Sequence, residues 1–155
     1  MDSNILTQQR ARIIGLAWGM HAAFRQYIQR ISDGEMLVYD QASMLDSGEA
    51  FFPAVDENTE TGVLRFAGTL HFSGHRGMLV VKIEAPWLQQ GDDTTVLTVA
   101  DPFESGGRMP CVTVDLQTDG TGPTWLTEEG ADLFMGNYLP HVAFDPVRIV
   151  WEGKN

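Results

Sequence analysis

One cysteine, Cys111, stands among 155 residues. A lone thiol cannot close an internal disulfide, and with no CxxC pair and no Cys/His cluster of zinc spacing, a zinc-finger scaffold is excluded as well. Cations are scarce: ten Lys and Arg face 21 Asp and Glu, a formal net charge of −11. Nucleic acids and anionic membrane surfaces are recognised by clustered positive charge, so no nucleic acid is expected as a partner. No apolar run approaches the ~18 residues of a membrane span, so none is expected in this chain. The opening MDSNILTQQRAR has no basic stretch leading into an apolar one, so no export signal is read there. The expectation is a cytoplasmic protein as the chain stands, or an extracytoplasmic one if the chain is a domain excised from an exported protein. GxSxG, P-loop and GxGxxG motifs are all missing, which leaves hydrolase and nucleotide-binding readings without support.

What the sequence does contain is 43% hydrophobic residues, enough to bury one core, and residues 1–155 are read as a single domain. Ile13, Leu16, Ala17, Met20, Ala23, Phe24, Tyr27, Ile28 and Ile31 recur at helical spacing. Gly15 and Gly19 each cost roughly 1 kcal/mol in a helix interior, so IIGLAWG reads alternatively as a short strand feeding a helix that starts near Met20. From Glu35 the texture turns to short β-rich runs separated by turn residues: EMLVYD, AFFPAV, VLRFAGTLHF, MLVVKIE, TTVLTVA, CVTVDLQ and VRIVW. In VLRFAGTLHF, Leu64, Phe66, Leu70 and Phe72 share one strand parity and Arg65, Thr69 and His71 the other, which predicts one buried and one wet face, with His71 outward. TEEGADLFMG carries Thr127 at a helix N-cap and Gly136 as a stop. The fold class expected is mainly β, an antiparallel sandwich or open-barrel-like domain with an N-terminal helix and a short C-terminal helix.

Few residues are placed for chemistry. His21, His71, His75 and His141 show neither HxxxH nor HExxH spacing, so no dedicated zinc site is expected. The adjacent acids Asp92–Asp93 and Glu128–Glu129 are read as solvated. His75 lies in SGHRG, a link between two strands where a core has no use for an imidazole. Tyr27 follows Phe24 by three residues and precedes Ile28, so its ring is expected inward with a hydroxyl in need of a partner. A backbone carbonyl would serve that hydroxyl equally well, and no spacing in the sequence brings Tyr27 and His75 together.

The blocks WGMHAAFRQY, FAGTLHFSGHRGML (residues 66–79) and FDP at Phe144 to Pro146 occur in the same order as in the HtaA domain family, which the chain resembles from about Leu16 to Trp151. These are haem-binding modules of haem-uptake proteins in Gram-positive bacteria. The resemblance implies a mostly β fold with haem b in a shallow pocket. By its motifs, Tyr27 ligates the iron and His75 bonds to that tyrosine. Such chemistry is sound on its own terms: a phenol with an ordinary pKa near ~10 must become a phenolate to bind ferric iron, and a donor N–H favours that anion.

Two departures from the family pattern bear on the site. Ala23 stands where the family usually has a serine able to bond a haem propionate, so Arg25, His21 and Arg76 become candidate anchors. His21 itself stands where a lysine or similar residue is common. Phe24, Met20, Tyr138 and Phe144 are candidates for apolar contact with the porphyrin. The resemblance implies haem uptake, transfer or storage, with another haem-carrying protein as a possible partner. A second class is a cytoplasmic tyrosine-ligated haem enzyme acting oxidatively on a small-molecule substrate, with His21 or His141 as distal acid or base. A third is a haem-free β interaction module.

Overall fold

The computed structural model describes residues 12–55 and 62–153. The amino-terminal segment read above for export signals lies almost wholly outside them. The described residues form twelve strands and two α-helices. In chain order these are β1 (Ile13–Trp18), α1 (Ala22–Arg30), β2 (Glu35–Tyr39), β3 (Ser43–Met44), β4 (Ala50–Pro53), β5 (Val63–Arg65), β6 (Thr69–Gly74), β7 (Leu79–Glu84), β8 (Trp87–Gln90), β9 (Thr95–Ala100), β10 (Arg108–Val114), β11 (Thr121–Leu126), α2 (Glu128–Leu133) and β12 (Ala143–Trp151). They form a nine-stranded antiparallel sheet in the order β3-β4-β1-β12-β11-β10-β9-β8-β5 and a three-stranded sheet β2-β6-β7. Leu16, Trp18, Phe52, Leu97 and Val99 from the large sheet join Leu70, Phe72, Val81 and Ile83 from the small one in one buried cluster. This is the mainly β, sandwich-like architecture that the alternating runs predict.

IIGLAW, residues 13–18, is a strand. Gly15 is held where an added Cβ would lie 2.8 Å from the carbonyl oxygen of Phe52, a close approach that only a glycine in the middle of a sheet permits. The helix therefore shortens to Ala22–Arg30, with Phe24 and Ile28 as its buried residues. Burying two such side chains stabilises the helix on the sheet by about 1.5–3 kcal/mol each.

VLRFAGTLHF, one run in the sequence, is two strands in two different sheets. The chain turns at Gly68, whose φ is +112°, and an added Cβ there would lie 2.8 Å from the Ala42 nitrogen. It returns at Ala85, which donates its N–H to Gly68 O at 2.8 Å. The β6–β7 hairpin thus bends out of the large sheet as a unit and pairs with β2, while β5 and β8 stay behind. Thr69, expected on the wet face, is buried at this corner. His71 does face outward, half-buried, and shares a 3.2 Å hydrogen bond with the Tyr39 hydroxyl. Strands β3, β8 and β11 lie outside the runs read from the sequence: β3 is two residues long, β8 only four, and β11 carries Gly122 and Pro123. Helix α2 begins as predicted, with Thr127 Oγ1 accepting from Gly130 N at 2.8 Å. No helix among the described residues is long and apolar enough to cross a membrane.

Candidate functional site

The position of Tyr27 is set by how α1 is anchored at its start. Asp145 on β12 is the hub. Its Oδ1 accepts from Ala22 N at 3.2 Å, and its Oδ2 accepts from Arg25 Nη1 at 2.9 Å. Its backbone N–H donates to Met20 O at 2.8 Å, and its carbonyl accepts from Trp18 Nε1 at 2.8 Å. Arg25 Nη1 also donates to Gly19 O at 2.7 Å. His21 caps the helix, its Nδ1 accepting from Phe24 N at 3.2 Å. That bond requires an unprotonated Nδ1, so the neutral ring carries its proton on Nε2. Burial lowers the His21 pKa, with the Arg25 charge adding to the effect and Asp145 opposing it.

So anchored, α1 turns Phe24 and Ile28 into the core and leaves Tyr27 facing out, 38% exposed. The expectation of an inward ring is corrected here. Successive helix positions are separated by about 100°, and the i, i+4 pair Phe24–Ile28 claims the sheet-facing side. The tyrosine hydroxyl is hydrogen-bonded to His75 Nε2, the two ring centroids being 5.8 Å apart.

His75 reaches that point because the SGHRG link closes as a single 3₁₀ turn, His75–Gly77, between β6 and β7. His75 and Arg76 both adopt left-handed backbone conformations, with φ of +52° and +57°. For residues with a Cβ this costs roughly 1–2 kcal/mol each, so something must hold the turn. Asp33 does, in the link between α1 and β2: its Oδ1 accepts from His75 N at 3.0 Å and its Oδ2 from Arg76 N at 2.7 Å. The N–H groups of Arg76 and His75 hold this carboxyl below the usual carboxylate range.

The pair opens on a half-open surface cavity of about 400 Å³ lined by Phe24, Tyr27, His75, Leu79, Asn137 and Tyr138. Tyr138 packs over His21 with ring centroids 4.8 Å apart, and burial raises its phenol pKa. Among the predicted site residues, the structure thus gathers Tyr27, His75, Phe24 and Tyr138 around one cavity. It does not bring the others there. Met20 is wholly buried in the core, with a left-handed backbone (φ +68°) at its position before α1. Phe144 is buried too, packed edge-on against Phe134 at 5.1 Å. Arg25 is committed to Asp145 and Gly19, and His21 to capping, so neither presents a free charge to the cavity. Arg76 and His141 are exposed and outside the lining.

Three contributors went unread in the sequence. Asp33 sits in SDG, the turn cluster that follows α1. Leu79 is the last residue of the FAGTLHFSGHRGML block and the first of β7. Asn137 follows Gly136 and donates Nδ2 to Phe134 O at 2.9 Å, closing the loop after α2. Among the described residues no group of three or more His, Cys, Asp and Glu side chains could hold a metal ion.

Fold and site together define an antiparallel β-sandwich that displays a phenol–imidazole pair on the wall of an aromatic surface pocket. A family model described as Htaa matches residues 14–150, and the chain belongs to this HtaA family. Among solved structures, the N-terminal domain of HtaA from Corynebacterium glutamicum is similar with a TM-score of 0.74 and 23% identity, over 94% of this chain and 100% of that one. The C-terminal domain of the same protein aligns with a TM-score of 0.70 and 23% identity, over 90% and 95% of the two chains. Heme binding protein HtaB from the same organism aligns at 0.64 and 18% identity, over 89% and 93%. No curated protein sequence matches the chain.

Proposed function

We propose that this chain binds one ferric haem b, with the Tyr27 oxygen as axial ligand and His75 as its hydrogen-bond support, and serves in haem uptake, transfer or storage. The observation that carries this is the Tyr27 hydroxyl, bonded to His75 Nε2 and exposed at the wall of the pocket. Membership of the HtaA family supports it, as does the similarity to a structure described as a heme binding protein.

The residues present fit the group. A cavity of about 400 Å³ falls within the usual range of ligand sites, about 300–1,000 Å³. Phe24, Leu79 and the ring of Tyr138 offer apolar and aromatic walls suited to a flat macrocycle, and besides Tyr27 and His75 the polar groups among the described lining residues are Asn137 and the Tyr138 hydroxyl. Among the described lining residues there is no Lys or Arg that would pair with the carboxylates of a porphyrin. Bound there, haem supplies a ferric centre that prefers a hard, anionic oxygen ligand.

The work of the protein is then proton handling. A phenol is protonated at neutral pH, so Tyr27 must give up its proton to act as a ligand. His75 Nε2 is the atom placed to take it, and the resulting N–H donates back to the phenolate oxygen. Return of the proton to Tyr27 restores a neutral phenol, a poor ligand, and so gives a route to release. His75 is exposed and can exchange that proton with solvent.

Titration of the purified protein with hemin tests this. The parent is expected to bind one equivalent and to develop a high-spin ferric spectrum with phenolate-to-iron charge transfer. Tyr27→Phe keeps the ring and loses that band together with tight binding, while His75→Ala binds more weakly and with a steeper pH dependence. A Tyr27→Phe protein with the affinity and spectrum of the parent refutes the assignment. Passage of the haem to apomyoglobin then separates transfer from storage.

A further inference from the structure

We infer that Asp33 is a positioning residue of this site: by clamping the backbone of His75 and Arg76 it aims the imidazole at Tyr27, and so tunes the ligand on which the proposed haem binding rests. His75 is exposed on a strained turn, and no core packing orients it. What fixes its backbone is the Asp33 carboxylate, with one oxygen on His75 N at 3.0 Å and the other on Arg76 N at 2.7 Å.

The location of Asp33 argues for this role. It lies three residues beyond Arg30, the last residue of α1, where a carboxylate opposes the helix dipole and gains nothing from the helix. It belongs to the link that ends the helix bearing Tyr27 while holding the hairpin bearing His75, so the two partners are tied together through one side chain. Two glycines allow the approach. A Cβ on Gly34 would lie 1.9 Å from Ile28 O, and one on Gly74 would lie 2.4 Å from Ile31 Cδ1 and 3.8 Å from Gly34 Cα. Only without those carbons can the α1–β2 link sit against the end of β6 and bring Asp33 under the turn. The lowered pKa of Asp33 agrees with a carboxylate that stays ionised, and hence able to accept both bonds, at neutral pH.

Hemin titrations across pH on the parent, Asp33→Ala, Asp33→Asn, His75→Ala and the double variant Asp33→Ala/His75→Ala distinguish positioning from simple support of the hairpin. Asp33→Ala is expected to lower hemin affinity about tenfold or more, as loss of a group orienting a metal ligand commonly does. Its charge-transfer band should move toward that of His75→Ala, and its acid release should begin at higher pH. Asp33→Asn should fall between, since the amide oxygen can accept but the amide nitrogen cannot. In the His75→Ala background, removing Asp33 should cost little more, because the group it positions is already gone.

Unchanged affinity and spectrum in Asp33→Ala, or an equal loss with and without His75, overturns the inference and leaves Asp33 as hairpin support alone. Should Asp33→Ala not fold, Asp33→Asn carries the same comparison. A parent protein that takes up no hemin sinks the haem assignment and this inference together. A parent that binds, beside a silent Asp33→Ala, sinks this one only.

Discussion

Replacing Arg25 by alanine separates a structural role for this side chain from a role at the ligand. Arg25 Nη1 donates to Gly19 O at 2.7 Å and to Asp145 Oδ2 at 2.9 Å, and the Arg25 and Asp145 side chains are 18% and 31% exposed. A charge-assisted hydrogen bond contributes about 1.5–3 kcal/mol, and partial solvent screening draws the ionic one toward the ~1 kcal/mol of surface pairs. The expected loss is therefore roughly 2.5–4 kcal/mol, which for a domain of this size lowers Tm by roughly 5–16 °C. Thermal melts followed by circular dichroism measure it, and a cycle with Asp145→Ala isolates the pair itself, with an expected coupling of about 1 kcal/mol. Hemin affinity of the folded variant should stay close to that of the parent, because Arg25 does not line the pocket. A variant with parental Tm and sharply reduced hemin affinity would refute this reasoning and return Arg25 to the haem carboxylates. Parental values of both would show that the β1–α1 junction is held by other bonds.

Two further outcomes are expected. His21→Ala removes the cap of α1 and should cost about 1 kcal/mol. Because burial lowers the folded-state pKa of His21 below its ordinary 6.5, the unfolded chain takes up the proton first as pH falls. The stability contributed by the neutral ring is complete above about pH 6.5 and lost below it, as pH falls through the folded-state value. Urea midpoints should decline faster in that acid range for the parent than for His21→Ala, and parallel declines would exclude a titrating His21. Cys111 is fully buried and its thiol is pushed up to about 12, so a thiol reagent at neutral pH should label it only on unfolding. Rapid labelling of the native protein would show that the β10 core opens.

Local signals carried far into this molecule. Strand alternation located most of the sheet because one face of each strand must meet the core, and Thr127 announced α2 because a hydroxyl at that position satisfies a free N–H. Two glycines in IIGLAWG argue against a helix, and Gly15 lies in strand β1 while Gly19 follows its end. The bend at Gly68 and Ala85 left no comparable trace, since the alternation of Leu64, Phe66, Leu70 and Phe72 reads the same whether the residues face one sheet or two. Tyr27 was misplaced for a related reason: a nine-residue helix buries only a narrow stripe, and periodicity alone does not say which of two neighbouring apolar positions lies at its centre.

The sequence by itself determined an acidic, β-rich domain with one helix bearing a tyrosine and one hairpin bearing a histidine. Only the tertiary structure decided that the phenol and imidazole, 48 residues apart, touch. It alone committed Arg25 to an aspartate 120 residues away, and set Asp33 beneath the turn that His75 occupies. Spacing along a chain governs what a helix face or strand face shows, whereas contacts between elements depend on how two sheets and a bent hairpin close over a shared core.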